Sequence, residues 1–195
     1  MKKSILKKDD IDKFYQYVYF GDINNELDMA IKRAYRDFNR TLSGFANIEN
    51  HKEIFNSAVK ILNEEIIWLT NSKISKISTQ NEFDNWHKMT CDKLKKAFLN
   101  QKFYYGQAQK WINMTLKYYS MLKPQKVECV YEFFHVPIDR YIIHCTNYAF
   151  DCAWSKIDEY DKYLDFQKWF RNTYKGIPLD VEFRIWLNEV LHKNN

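Results

Sequence analysis

Apolar residues recur along most of this chain at spacings of three and four, the period of a helix with one buried face. Between about Asn24 and Leu42 they fall at Leu27, Ile31, Ala34, Tyr35 and Phe38. From about 51 to 70 they fall at Ile54, Phe55, Ala58, Ile61, Leu62 and Ile66, and from 82 to 99 at Phe83, Trp86, Met89, Leu94, Ala97 and Phe98. Helix punctuation agrees with this period. Asp9 or Asp10 suits the start of a first helix that Gly21 ends, and Gly44 follows the second. Pro124 stops a helix running from about 106 to Leu122. Pro137 and Pro178 suit the first turns of helices over about 137–152 and 178–192, and Gly176 ends another over about 158–173. Asn71–Gln80, rich in Ser, Thr and Lys, reads as a loop. Val127–Phe134 has strand character but nothing to pair with, so it reads as irregular. The expected fold is all-α: seven to eight helices over 1–195, packed as two lobes with the chain crossing between them near 71–81.

Composition narrows the function classes. Four glycines and three prolines are too few for the turns of a sandwich or barrel. No apolar run reaches the roughly 18 residues of a membrane span, and MKKSILKKDD lacks an apolar signal core, so a cytoplasmic protein with no membrane partner is expected. Cys91, Cys129, Cys145 and Cys152 have no zinc spacing, and Cys145 and Cys152, seven apart, read as core thiols on one helix face. No His/Asp/Glu cluster has metal spacing either, so neither a metal nor a cofactor is expected. Aromatics make up 17% of residues, enough to fill a core and still line a pocket.

Charge singles out one stretch. Lys88–Lys126 carries nine lysines against Asp92, a local net charge of +8 in a chain whose total is +5. Such a block points to a polyanion, with a nucleic-acid backbone the leading choice. Within it, Gly106-Gln107-Ala108-Gln109-Lys110 sits where a turn should open a helix. Unpaired N–H groups at such a start bind phosphate, and Lys102 and Lys117 would add attraction. Downstream, Val136-Pro137-Ile138-Asp139 places a carboxylate at another helix start, where the helix dipole favours its ionised form. A lysine beside such a carboxylate, once neutral, is a nucleophile able to form a Schiff base. Other readings stand beside this one. Lys110 shares a stripe with Gln107, Asn113 and Lys117 that resembles a solvated face, and Asp180 in Ile177-Pro178-Leu179-Asp180 has the same local form as Asp139. Trp111 and Met114 read as packing.

These two segments resemble the helix–hairpin–helix DNA glycosylases, particularly the 8-oxoguanine type. There a Gly-x-Gly-x-Lys hairpin opens a helix and a later Val-Pro-x-Asp supplies the catalytic aspartate. The resemblance covers about 35–45 residues, within a hairpin-bearing segment over about 82–122. It implies that Lys110 attacks the sugar C1′ and that Asp139 activates it or steadies the cationic transition state. It also implies that Gly106, Gln107, Ala108 and Gln109 meet the DNA backbone, the partner being duplex DNA with a flipped base. The chain departs from the pattern at Ala108, which replaces the second glycine, at Tyr104-Tyr105, which replaces Leu-Pro, and in the 29-residue separation of Lys110 from Asp139. The implied function is removal of a modified base in repair or defence, with lyase chemistry open to it through Lys110. A non-catalytic helical DNA- or RNA-binding module and a helical protein-interaction adaptor are the alternatives.

Overall fold

The structure is a computed structural model that describes residues 6–21, 25–71, 73, 77–98 and 101–192. Nine α-helices and four short 3₁₀ turns, with no strand, make up its regular structure among the described residues. The helices are α1 (Lys8–Phe20), α2 (Glu26–Phe38), α3 (His51–Thr70), α4 (Gln80–Ala97), α5 (Tyr105–Leu122), α6 (Pro124–Val127), α7 (Arg140–Thr146), α8 (Tyr160–Thr173) and α9 (Pro178–His192). The all-α expectation is therefore met, with one more helix than foreseen: Pro124 ends α5 and opens the single turn α6. Parts of the anticipated lobe crossing, residues 72 and 74–76, lie outside the described residues, as do 22–24. No helix among the described residues is long and apolar enough to cross a membrane.

Local chemistry accounts for several boundaries. Thr79 and Glu82 form a capping box at the head of α4: Thr79 Oγ1 accepts from the Glu82 N–H and Glu82 Oε2 from the Thr79 N–H. Gly21 closes α1 at φ 89°, with its N–H donating to the Tyr17 carbonyl. The helix expected over 137–152 is shorter. Pro137 lies outside the helix, Asp139 is the N-cap of α7, and Asn147 ends it in left-handed geometry at φ 54°. Cys145 is thus on α7 and Cys152 in the following loop, so they do not share a face, and no disulfide joins the four cysteines among the described residues.

One connected core of buried apolar side chains runs from Leu27 to Leu179, and α5 passes through it. Every residue from Gly106 to Tyr119 is buried. The stripe of Gln107, Lys110, Asn113 and Lys117 is therefore not a solvated face. A helix packed against α2, α4, α6 and α8 together presents almost no surface to water. Its apolar side carries Trp111, whose ring stacks on Phe55 and whose indole N–H donates to the Ile31 carbonyl at 3.0 Å.

The polar side of α5 is accommodated by a buried hydrogen-bond network. His87 Nε2 donates to Asn113 Oδ1 at 3.0 Å, and Asn113 Nδ2 donates to Gln109 Oε1 and the Tyr163 hydroxyl. The Tyr163 hydroxyl donates to His135 Nδ1 at 2.7 Å, and His135 Nε2 to Asp84 at 2.7 Å. This pattern uses neutral histidines. Burial pushes the His135 pKa down to about 4 from 6.5 even though Asp84 pulls it up, and burial also lowers that of His87.

The sign of the resulting pH dependence is defined. Folded His135 stays neutral while the unfolded chain takes up a proton below pH 6.5, so its stabilising contribution is complete above pH 6.5 and lost as pH falls toward 4. The loss should reach roughly 3 kcal/mol for this residue, with His87 acting in the same direction. Thermal melts followed by circular dichroism should show the midpoint falling through this window; a level midpoint there would contradict the neutral pair.

Candidate functional site

The N-terminus of α5 is built differently from a phosphate cradle. The Gly106 N–H donates to the Ile157 carbonyl at 3.0 Å, and those of Gln107 and Ala108 turn back to the Tyr104 carbonyl. Gln107 bridges elements: its Oε1 accepts from the Tyr104 N–H and its Nε2 donates to the Thr41 carbonyl and hydroxyl. Ala108 is core. The donors expected to face outward are thus spent inside the fold. Glycine is required at 106 for another close approach, because a Cβ there would lie 1.8 Å from the Trp154 carbonyl oxygen.

The basic block is also altered by folding. Six of its nine lysines are ion-paired: Lys88 with Asp92, Lys93 with Glu65, Lys95 with Asp158, Lys110 with Asp139, Lys117 with Glu182 and Lys123 with Glu26. Five of those acids lie outside the block in sequence. A sequence-local excess of +8 is therefore largely neutralised in space. Of the expected DNA-contacting residues Gly106, Gln107, Ala108, Gln109, Lys102 and Lys117, only Lys102 is exposed.

Lys110 and Asp139, by contrast, meet. Lys110 Nζ donates to Asp139 Oδ2 at 2.7 Å, with the lysine side chain 5% and the aspartate 20% exposed. Two devices hold this geometry. Asp139 caps α7 through Oδ1, which accepts from the Ile142 N–H at 3.0 Å. Gln109, next to the lysine, grips the peptide before the aspartate from both sides. Its Nε2 donates to the Ile138 carbonyl at 2.9 Å and its Oε1 accepts from the Ile138 N–H at 3.1 Å. Burial opposes ionisation of Asp139, but the charge and hydrogen bond of Lys110, aided by the Ile142 and Tyr141 N–H groups, outweigh it and lower its pKa. Asp180, the other carboxylate after a Pro-x pair, instead accepts from the Tyr131 hydroxyl at 2.7 Å.

The pair lines a cleft of about 1000 Å³. Its walls come from α1, α2, α5, the start of α7, the turn at Trp154, and α9. Aromatic rings, among them Tyr15, Tyr19, Tyr141, Trp154, Phe183 and Trp186, alternate there with charged groups. Beside Lys110–Asp139 lies a second buried pair, Lys117–Glu182 at 2.6 Å. Burial raises the Glu182 pKa, with Lys117 and Lys110 opposing it. Sequence reasoning did not find Glu182, Gln109's grip or Trp154, because each acts through a residue far away in the chain. Among the described residues no group of three or more His, Cys, Asp or Glu is placed to hold a metal ion.

Comparison of the chain with protein-family models, with curated proteins and with solved structures gave no match.

Gly106→Ala tests the construction of the site. The added methyl would be driven into the Trp154 backbone, which has no flexible end to yield, so a loss of roughly 2–3 kcal/mol is expected. Chemical denaturation would read this directly, and unchanged stability would show that the turn is not seated against α5 as described.

Proposed function

We propose that the chain is a DNA glycosylase of the helix–hairpin–helix type that removes a modified base and captures the sugar on Lys110. The observation that carries this reading is the buried Lys110–Asp139 pair opening into an aromatic-lined cleft. A base extruded from a duplex needs flat apolar walls for stacking, and the cleft supplies rings on several sides.

The chemistry assigns each atom a role. Lys110 Nζ passes a proton by way of Asp139 Oδ2, its hydrogen-bond partner, to the departing base, which frees the lone pair for attack and returns Asp139 to the carboxylate. As the C1′–N bond breaks, its electron pair leaves with the base, which takes up that proton, and Nζ–C1′ forms in its place. The C1′–O4′ bond then breaks with its electron pair going to O4′, a second proton passes from Nζ to O4′, and C1′=Nζ forms as the iminium. Water exclusion helps: a carboxylate aimed at a developing sugar cation acts more strongly in a buried site than in solution. The phosphate contacts, in this reading, are not made by the α5 terminus, whose donors are already used.

Borohydride trapping on oligonucleotides with a panel of modified bases tests the proposal. Wild type should give a covalent adduct on at least one substrate, and Lys110→Gln none. Removing one member of a buried pair costs roughly 3–5 kcal/mol, so Lys110→Gln is to be checked for folding by circular dichroism. Asp139→Asn, which keeps shape and a hydrogen-bond acceptor, should slow base release by about 100-fold or more. Base release by Lys110→Gln at the wild-type rate would falsify the nucleophile assignment. Absence of both adduct and base release with wild type on every substrate would leave a nucleic-acid-binding module as the better reading.

A further inference from the structure

The charges around the cleft balance unevenly, and the imbalance has an address. Six cationic residues line it, Arg33, Arg36, Arg40, Lys110, Lys117 and Arg140, against three acids, Asp37, Asp139 and Glu182. Each acid is taken: Asp37 by Arg33 at 2.8 Å, Asp139 by Lys110 and Glu182 by Lys117. Arg36, Arg40 and Arg140 are exposed, and no carboxylate among the described residues is ion-paired with them. The cleft's whole surplus of positive charge is thus carried by three solvent-facing arginines.

The residue type adds a second, independent observation. The chain uses 24 lysines and only six arginines, yet four of the six arginines line this one cleft. A guanidinium differs from an ammonium in offering a planar fork of donors that fits two phosphate oxygens at once. Arg36 and Arg40 stand four residues apart at the C-terminal end of α2 and the turn after it, so they present neighbouring forks. Arg140 follows Asp139 directly and opens α7, which carries the third fork to the rim beside the Lys110–Asp139 pair.

We propose that the phosphodiester backbone of the DNA is gripped by Arg36, Arg40 and Arg140, and not by the lysine block or the α5 terminus. The strand would run along the α2 side of the cleft and be pinned at Arg140, bringing one nucleotide over Lys110. This deepens the glycosylase reading and rests on it for the identity of the polyanion as DNA.

The test is fluorescence anisotropy with a short labelled DNA duplex across a salt series, using wild type, Arg36→Ala/Arg40→Ala, and Lys96→Ala/Lys126→Ala. The last variant removes the same charge from two exposed lysines of the basic block, outside the cleft and without a salt-bridge partner among the described residues. The arginine variant should bind about tenfold more weakly or worse and lose about two from the slope of log affinity against log salt. The lysine variant should match wild type in both respects. Equal weakening by both variants, or no effect of the arginine variant, overturns the assignment. Base release assayed on the same duplexes separates this from the glycosylase reading. Wild-type base release with unaltered arginine-variant binding removes the grip alone. Arginine-dependent binding with no base release on any substrate keeps the grip and removes the chemistry.

Discussion

A helix buried on all sides must find a partner inside the protein for every polar group it carries, and α5 carries many. Gln107, Gln109, Lys110, Asn113 and Lys117 all lie within it and all are buried. An unpaired amide or ammonium there would cost more than most single contacts contribute, so each of these side chains dictates what stands opposite. Gln107 requires Thr41, Gln109 requires the Ile138 peptide, Asn113 requires His87 and Tyr163, and the two lysines require Asp139 and Glu182. The placement of the 138–142 segment and of α9 follows from satisfying this one helix.

That constraint also explains why the candidate site is where it is. Polar residues in a core are stabilising only when fully paired, and full pairing makes them rigid. The Lys110–Asp139 pair inherits this rigidity from neighbours on both sides. Gln109 holds the peptide before Asp139, and the α7 cap holds its other carboxylate oxygen. A buried pair supported in this way sits in a defined geometry, the preorganisation that the proposed chemistry requires.

Charge in this protein must be judged after folding. Lys88–Lys126 is the most basic stretch of the sequence, yet acids brought from α2, α3, α9 and the loops before α7 and α8 neutralise most of it. The three arginines of the cleft that have no carboxylate partner among the described residues stand in ordinary-looking sequence, Arg36 even next to Asp37. What separates them is that Asp37 is claimed by Arg33 and the Tyr118 hydroxyl.

The helical periods, the end of the first helix at Gly21 and the stop at Pro124 were all legible in the sequence, because they depend on residues within a turn or two of each other. The sequence also singled out Lys110 as a candidate partner for Asp139, and the structure brings the two side chains together. Three things were not legible. The burial of the Gln107–Lys117 stripe, the use of Gly106 for a backbone contact instead of a phosphate, and the neutralised lysine block each depend on a partner tens of residues away. Helix formation is a local balance of backbone and side-chain energies, which a linear pattern records. Which polar face is buried, and which charge is left unpaired, depends on long-range packing and pairing, and only the tertiary structure decides it.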